Sequence, residues 1–163
     1  MEICPDLGSM GCRFGMLYNL FQTKEGLGPV FLRLGLAICI FPHGAQKALG
    51  WFEGSGFYTA MDYFTETLGA PYVLGVLVIG FEFIGTICLV FGFLTRFWVL
   101  GLAITLTVAG FTHRDYGFFM NWFGDKGGEG FEYHILAVSA AISLLFRGAG
   151  SFSLDKKLGE WSV

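Results

Sequence analysis

PYVLGVLVIGFEFIGTICLVFGF, residues 71–93, is the stretch that decides the fold. It has no break in apolar character except one carboxylate, Glu82, and it is far too long for a strand. A helix crossing a bilayer needs about 20 such residues, with about 17–25 usual. Working outward, three more apolar runs flank it: 30–49 (VFLRLGLAICIFPHGAQKAL), 97–112 (FWVLGLAITLTVAGFT) and 131–146 (FEYHILAVSAAISLLF). The first fits a span if His43 and Lys47 lie near one interface, and the last two fit if their polar flanks reach the headgroup zone. The first three contain glycine, and all four, far longer than strands, read as helices. The expectation is an all-α membrane protein, a four-transmembrane-helix bundle.

Composition agrees. Of 163 residues, 54% are hydrophobic, 14% are charged and 19 are phenylalanine, and the mean hydropathy is +0.61. A soluble domain carries about 25% charged residues to cover its core, so the surplus apolar surface is expected to face lipid. Disorder is excluded by the same composition, and nucleic-acid binding by a net charge of −3 with no basic patch. Residues 1–28 hold no uninterrupted apolar core and no small-residue cleavage site, so no signal peptide is expected.

Orientation follows from the basic residues flanking the spans. Arg13, Lys24, Arg96, Arg147, Lys156 and Lys157 fall on the side of the termini, against Lys47, Arg114 and Lys126 on the other. Both termini are therefore expected on the cytoplasmic side, with acidic and aromatic outer loops at 50–70 and 113–128. The chain divides into an N-terminal cytoplasmic or interfacial segment (1–28), the four-helix domain (29–150) and a cytoplasmic tail (151–163). Within the first, residues 13–24 suit a short helix lying on the membrane surface or a disordered tail. Ala137 and Ala141, four apart, form a small-residue face for close helix packing.

No C-x-x-C spacing occurs among the cysteines. Cys39 and Cys88, inside apolar runs, are expected to be buried small hydrophobes, and the roles of Cys4 and Cys12 stay open. Arg33, near the start of the first span, is expected to snorkel to lipid phosphates.

The remaining polar residues carry the functional signal. An ionisable side chain deep in a bilayer costs about 2.5–3.5 kcal/mol on insertion scales. Glu82 comes 11 residues after Pro71, roughly 16 Å deep at about 1.5 Å per residue. His43 and Lys47 share one helix face with Gln46 beside them, and Pro42 is expected to kink that helix and free a carbonyl. His113 ends the third run, and Glu132 and His134 begin the fourth. All three histidines thus fall in the outer half of the bundle. Interhelical hydrogen bonding and snorkelling would account for part of this set. A metal site or bis-histidine haem is less favoured, because no helix carries an H-x-x-x-H or H-E-x-x-H pair. Best fitted is a quinone pocket, with N–H donors for the carbonyl oxygens and His and Glu to carry protons. The quinone-like ligand set is His43, Gln46, Lys47, Glu82, His113, Glu132 and His134. An aromatic-lined polar cleft also suits a lipid or another apolar molecule. No catalytic set, intrinsic cofactor or metal site is assigned.

Three motifs in order resemble the DoxX family of small bacterial and archaeal membrane proteins. They are LRLGLAICIFPHGAQKALGWF at 32–52 with its HG-x-QK and GWF elements, GFEFIGTICLVFGFLTR at 80–96 and GAGSFSLDKKL at 148–158. The resemblance implies a multi-pass four-helix bundle of the cytoplasmic membrane, linked to thiosulfate:quinone oxidoreductase or related membrane oxidoreductase complexes, with other subunits as partners. The expectation is a quinone-interacting subunit of such a complex; the alternative is a non-catalytic accessory subunit that binds lipid or pigment.

Overall fold

The computed structural model describes residues 21–161, so Cys4, Cys12 and residues 13–20 of the expected interfacial segment lie outside the described residues. Within them the chain is helical, with no strand. Four long helices carry it: α1 (Gly28–Leu49), α3 (Tyr72–Phe91), α4 (Thr95–Thr112) and α5 (Glu132–Arg147). Between α1 and α3 lies α2 (Gly56–Asp62), which continues into a π-turn at Tyr63–Thr67, where the sequence suggested a plain loop. The closing α6 (Leu154–Trp161) follows α5.

α1 starts on Pro29 in its first turn, where a missing N–H costs no hydrogen bond, and it stays helical through Pro42 up to Gly50. α1 packs on α3 and α5, and α4 packs on α5 and α3, which closes a four-helix ring. Its core holds Leu36, Ala37 and Ile40 of α1, Leu89 of α3, Val99, Leu102 and Leu106 of α4, and Ala137, Ala141 and Leu144 of α5. Ala137 and Ala141 are 4% and 0% exposed, the close packing their spacing predicts. A second small cluster, Ala60 and Met61 against Ile79, seats α2 on the flank of α3. Large apolar side chains point outward all round: Phe31, Ile38, Val73, Phe111, Leu136 and Phe146 are all exposed. That is a lipid-facing surface rather than a solvated one.

Three helices, α1, α3 and α4, are long and apolar enough to cross a membrane. α5 has 16 residues, about 24 Å of helix against a hydrocarbon core of about 30 Å.

The two ends of the described chain meet. Lys24 N–H donates to Arg147 O at 2.9 Å, Ser151 N–H to Gly26 O at 3.2 Å, and Gly26 N–H to Ser151 Oγ at 3.1 Å. Lys156 Nζ bonds Glu25 Oε1 at 2.6 Å. Both ends thus lie at one end of the bundle, hereafter the terminal end; the opposite one is the loop end. Arg33 corrects the sequence expectation here. It is 2% exposed and does not reach outward. Its guanidinium donates to Leu89 O at 2.8 Å and to Val90 O, supplementing the backbone bonds in the last turn of α3, and to Phe152 O at 2.6 Å. Asp155 does the converse for α4, accepting Leu94 N–H at 2.7 Å and Thr95 N–H at 2.9 Å. Between them Gly92 turns with φ 63°, and a Cβ there would lie 2.6 Å from Ser153 Cβ. Cys39 and Cys88 also depart from expectation: Cys39 is exposed and Cys88 half-buried, on the outward side of their helices, because the inward positions fall at Leu36, Ile40, Thr86 and Leu89.

Candidate functional site

Glu82 is 6% exposed, and it sits where α3 stops being a regular α-helix. Residues Phe81–Gly85 form a π-turn, a one-residue widening that often marks functional positions. Two neighbours account for it. Gly44 of α1 abuts the Glu82 peptide so closely that a Cβ there would lie 2.5 Å from Glu82 C and O and Phe83 N. Thr86, fully buried, donates its hydroxyl to Glu82 O at 2.7 Å and Phe83 O at 2.8 Å, holding the carbonyls that the widened turn displaces. One turn beyond Gly44, Lys47 Nζ meets Glu82 Oε2 at 2.6 Å; the side chains are 30% and 8% exposed. The deep carboxylate is therefore paired, as the low dielectric of its surroundings demands.

The histidines gather beside this pair. His43 lies within electrostatic reach of both Lys47 and Glu82, and His134 within reach of His43 and His113. The His113 and His134 rings stack with centroids 5.2 Å apart and planes 27° from parallel. Tyr133, which the sequence reading did not single out, contacts His134 edge-on at 5.8 Å and feels the Glu82 charge. Its hydroxyl and the Nδ1 atoms of His113 and His134 are buried without a hydrogen-bond partner among the described residues. Such orphans are rare and normally have a partner in the working state. The clue in the sequence was adjacency, since Tyr133 precedes His134 at the start of α5.

Five of the seven residues read from the sequence therefore converge: His43, Lys47, Glu82, His113 and His134. The other two are engaged elsewhere. Gln46 Nε2 donates to Phe52 O at 3.1 Å, closing the turn after α1. Glu132 accepts Met120 N–H at 3.0 Å and Trp122 Nε1–H at 3.2 Å, which ties down the loop ahead of α5. Among the described residues no three His, Cys, Asp or Glu side chains lie close enough to hold a metal ion.

Beside the cluster runs a cleft of about 410 Å³ between α4 and α5, lined by Leu106, Phe111, Phe131, Ile135 and Val138, with His134 in its wall. Phe111 and Ile135 on its rim are exposed, so it opens on the lipid-facing flank. Its size falls in the range of small-molecule sites, about 300–1,000 Å³. His134 thus lines a lipid-accessible cleft, and its neighbours His43 and Tyr133 lie within electrostatic reach of Glu82. The arrangement can hydrogen-bond an apolar molecule entering from the bilayer and exchange protons with it.

A lipid-faced helical bundle with one paired carboxylate near its middle defines a small integral membrane protein. The family model described as DoxX matches residues 28–115, and the chain belongs to the DoxX family. It is 31% identical over 140 residues to the Escherichia coli protein "Inner membrane protein YqjF", covering 85% of this chain and 98% of that one. It is 29% identical over 140 residues to an uncharacterized Haemophilus influenzae protein, covering 80% of this chain and 83% of the other. No solved structure matches it.

Proposed function

We propose that this protein is a quinone-interacting subunit of a membrane oxidoreductase complex. The observation that carries the reading is His134, whose ring borders the lipid-facing cleft on one side and whose neighbours, His43 and Tyr133, lead to the Lys47–Glu82 pair on the other. A quinone ring offers carbonyl oxygens, and the unpartnered Tyr133 hydroxyl and the Nδ1 atoms of His113 and His134, in the tautomer that carries the proton there, are the groups that would bond them. Oxidising a quinol to a quinone releases two protons and two electrons. Imidazole and carboxylate side chains are the residue types that carry protons in such a step. The electrons would pass to a redox centre carried by a partner subunit.

The same reading takes four crossings, with both termini on the cytoplasmic side of a bacterial or archaeal membrane. The basic residues favour that side, and the hydrogen bonds between residues 24–26 and 147–151 support an even number of crossings. An accessory role without chemistry has its own support in the loop before α5, where Trp122 and Phe123 are 79% and 92% exposed. Binding separates the two. A short-tailed quinone titrated into the purified protein in lipid nanodiscs should bind, and Glu82→Gln and His134→Ala should each weaken it about tenfold, roughly 1.4 kcal/mol. No binding by wild type, or full binding by both variants, would sink the quinone reading.

A further inference from the structure

The cleft between α4 and α5 is more specific than a place for a flat ring. It is lined from Leu106 on α4 to Arg114 just past the end of that helix, and from Phe131 just ahead of α5 to Ser139 on it. Each wall is eight steps long, about 12 Å along the helix axis. The hydroxyls within it are already occupied: Thr107 donates to Ala103 O at 2.7 Å, and Ser139 to Ile135 O at 2.8 Å. Away from the loop end the walls therefore offer a ligand only apolar contact. At the loop end the character changes. Among the described residues His134 keeps an unpartnered buried Nδ1, and Arg114 pairs with Asp115 alone, at 3.5 Å, with both side chains largely exposed. No carboxylate lines the cleft. A ligand that fits has a head rich in acceptors and a hydrocarbon tail running toward the middle of the bilayer.

We infer that the cleft binds a long-tailed isoprenoid quinone, which enters sideways from the lipid with its ring beside His134 and Arg114 and its tail along Leu106, Ile135, Val138 and Ser139. The inference rests on the quinone reading above and adds the tail, its route and Arg114. A phospholipid phosphate would also accept hydrogen bonds. One guanidinium already leaning toward an aspartate is a thin anchor for it, whereas a ring carbonyl needs a single donor.

Affinity alone is a poor test of the tail, because a tail leaving lipid for the cleft gains little hydrophobic free energy. Position is a better one. The full chain in nanodiscs of neutral and anionic phospholipid is irradiated with a quinone carrying a diazirine midway along an isoprenoid tail, and the adducts are mapped by mass spectrometry. Adducts should concentrate in residues 106–114 and 131–139 and fall at least fivefold under excess unlabelled long-tailed quinone. Ser139→Phe, which fills the cleft from an exposed, lipid-facing position, should lower them about as much. Adducts spread over the outward faces of α1 and α3, competition by anionic phospholipid instead of quinone, or unchanged labelling in Ser139→Phe would each overturn the inference. If one of those labelling outcomes occurs while a tail-less quinone still binds in a His134-dependent way, the function above stands and the tail groove fails. Absence of all quinone binding would overturn both.

Discussion

The two ends of this bundle handle buried polar groups in opposite ways. At the terminal end Arg33 spreads its donors over three carbonyls and Asp155 uses both oxygens on two backbone N–H groups. Orphans do occur there, at Arg33 Nε, Thr95 Oγ1, Arg96 Nε and Trp98 Nε1; Arg33, Thr95 and Arg96 each bond a remote part of the protein through another atom, and the Trp98 ring is packed on Phe81 and Phe97. At the loop end the Lys47–Glu82 pair is satisfied, whereas Tyr133 Oη and the Nδ1 atoms of His113 and His134 have no partner among the described residues. Saturated polar groups act as a clamp and unsaturated ones wait for something. The same residue types therefore mean structure at one end and a site at the other.

Breaking the clamp should have the largest effect on stability. Arg33→Ala leaves the half-buried Val90 O and Phe152 O without their guanidinium donor, while Leu89 O keeps the Gly92 N–H; at about 1–3 kcal/mol for each group left unmet, a loss of about 3 kcal/mol is expected in detergent unfolding. Quinone affinity of the folded fraction should not change. Lost affinity at unchanged stability would erase the contrast between the ends. Next comes the ion pair. Lys47→Met and Glu82→Gln should each destabilise by about 1–3 kcal/mol, below the figure for a fully buried pair because Lys47 is 30% exposed. The double variant should recover most of that loss, which a double-mutant cycle reads directly, while its quinone binding stays as weak as that of Glu82→Gln.

Gly44→Ala sharpens the contrast further. Its Cβ would press on the Glu82 peptide, an overpacking worth about 1–3 kcal/mol. Moving the widened turn should also expose the carboxylate, seen as faster labelling of Glu82 by a hydrophobic carbodiimide. Slower or equal labelling would mean that Gly44 does not set the turn. The smallest effect concerns pH. Burial holds the Asp155 carboxyl above its ordinary range, against the opposing pull of the Thr95 and Leu94 N–H groups and Arg33. A raised carboxyl favours the folded state when protonated, so the clamp should be tightest below the ordinary carboxylate range and loosen as pH rises through the raised value. Amide exchange of residues 148–156, corrected for intrinsic rates, should show that slope, and Asp155→Asn should flatten it.

Several of these features were legible in the sequence because they depend on local pattern. The four apolar runs matched the long helices to within two residues at each end, since hydrophobic length alone fixes them. Glu82 stood out because a carboxylate in an apolar run is expensive wherever the run folds. Arg33 was misread for the complementary reason: its partners at Leu89, Val90 and Phe152 are remote in sequence, and only packing brings their carbonyls to it. Cys39 looked buried because apolar surroundings in sequence do not say which side of a helix faces the lipid. Gln46 and Glu132 sat in the right region but were drawn off by the turn at Phe52 and the loop at Met120–Trp122.

By itself the sequence determined that this chain is a helical membrane protein of the DoxX family and that Glu82 needs a partner, because transfer free energy depends only on what each segment is made of. The tertiary structure decided that the partner is Lys47, that α3 widens where Gly44 touches it, and that His134 borders a cleft open to lipid. Those outcomes depend on which helix faces which, and that is set by side chains far apart along the chain.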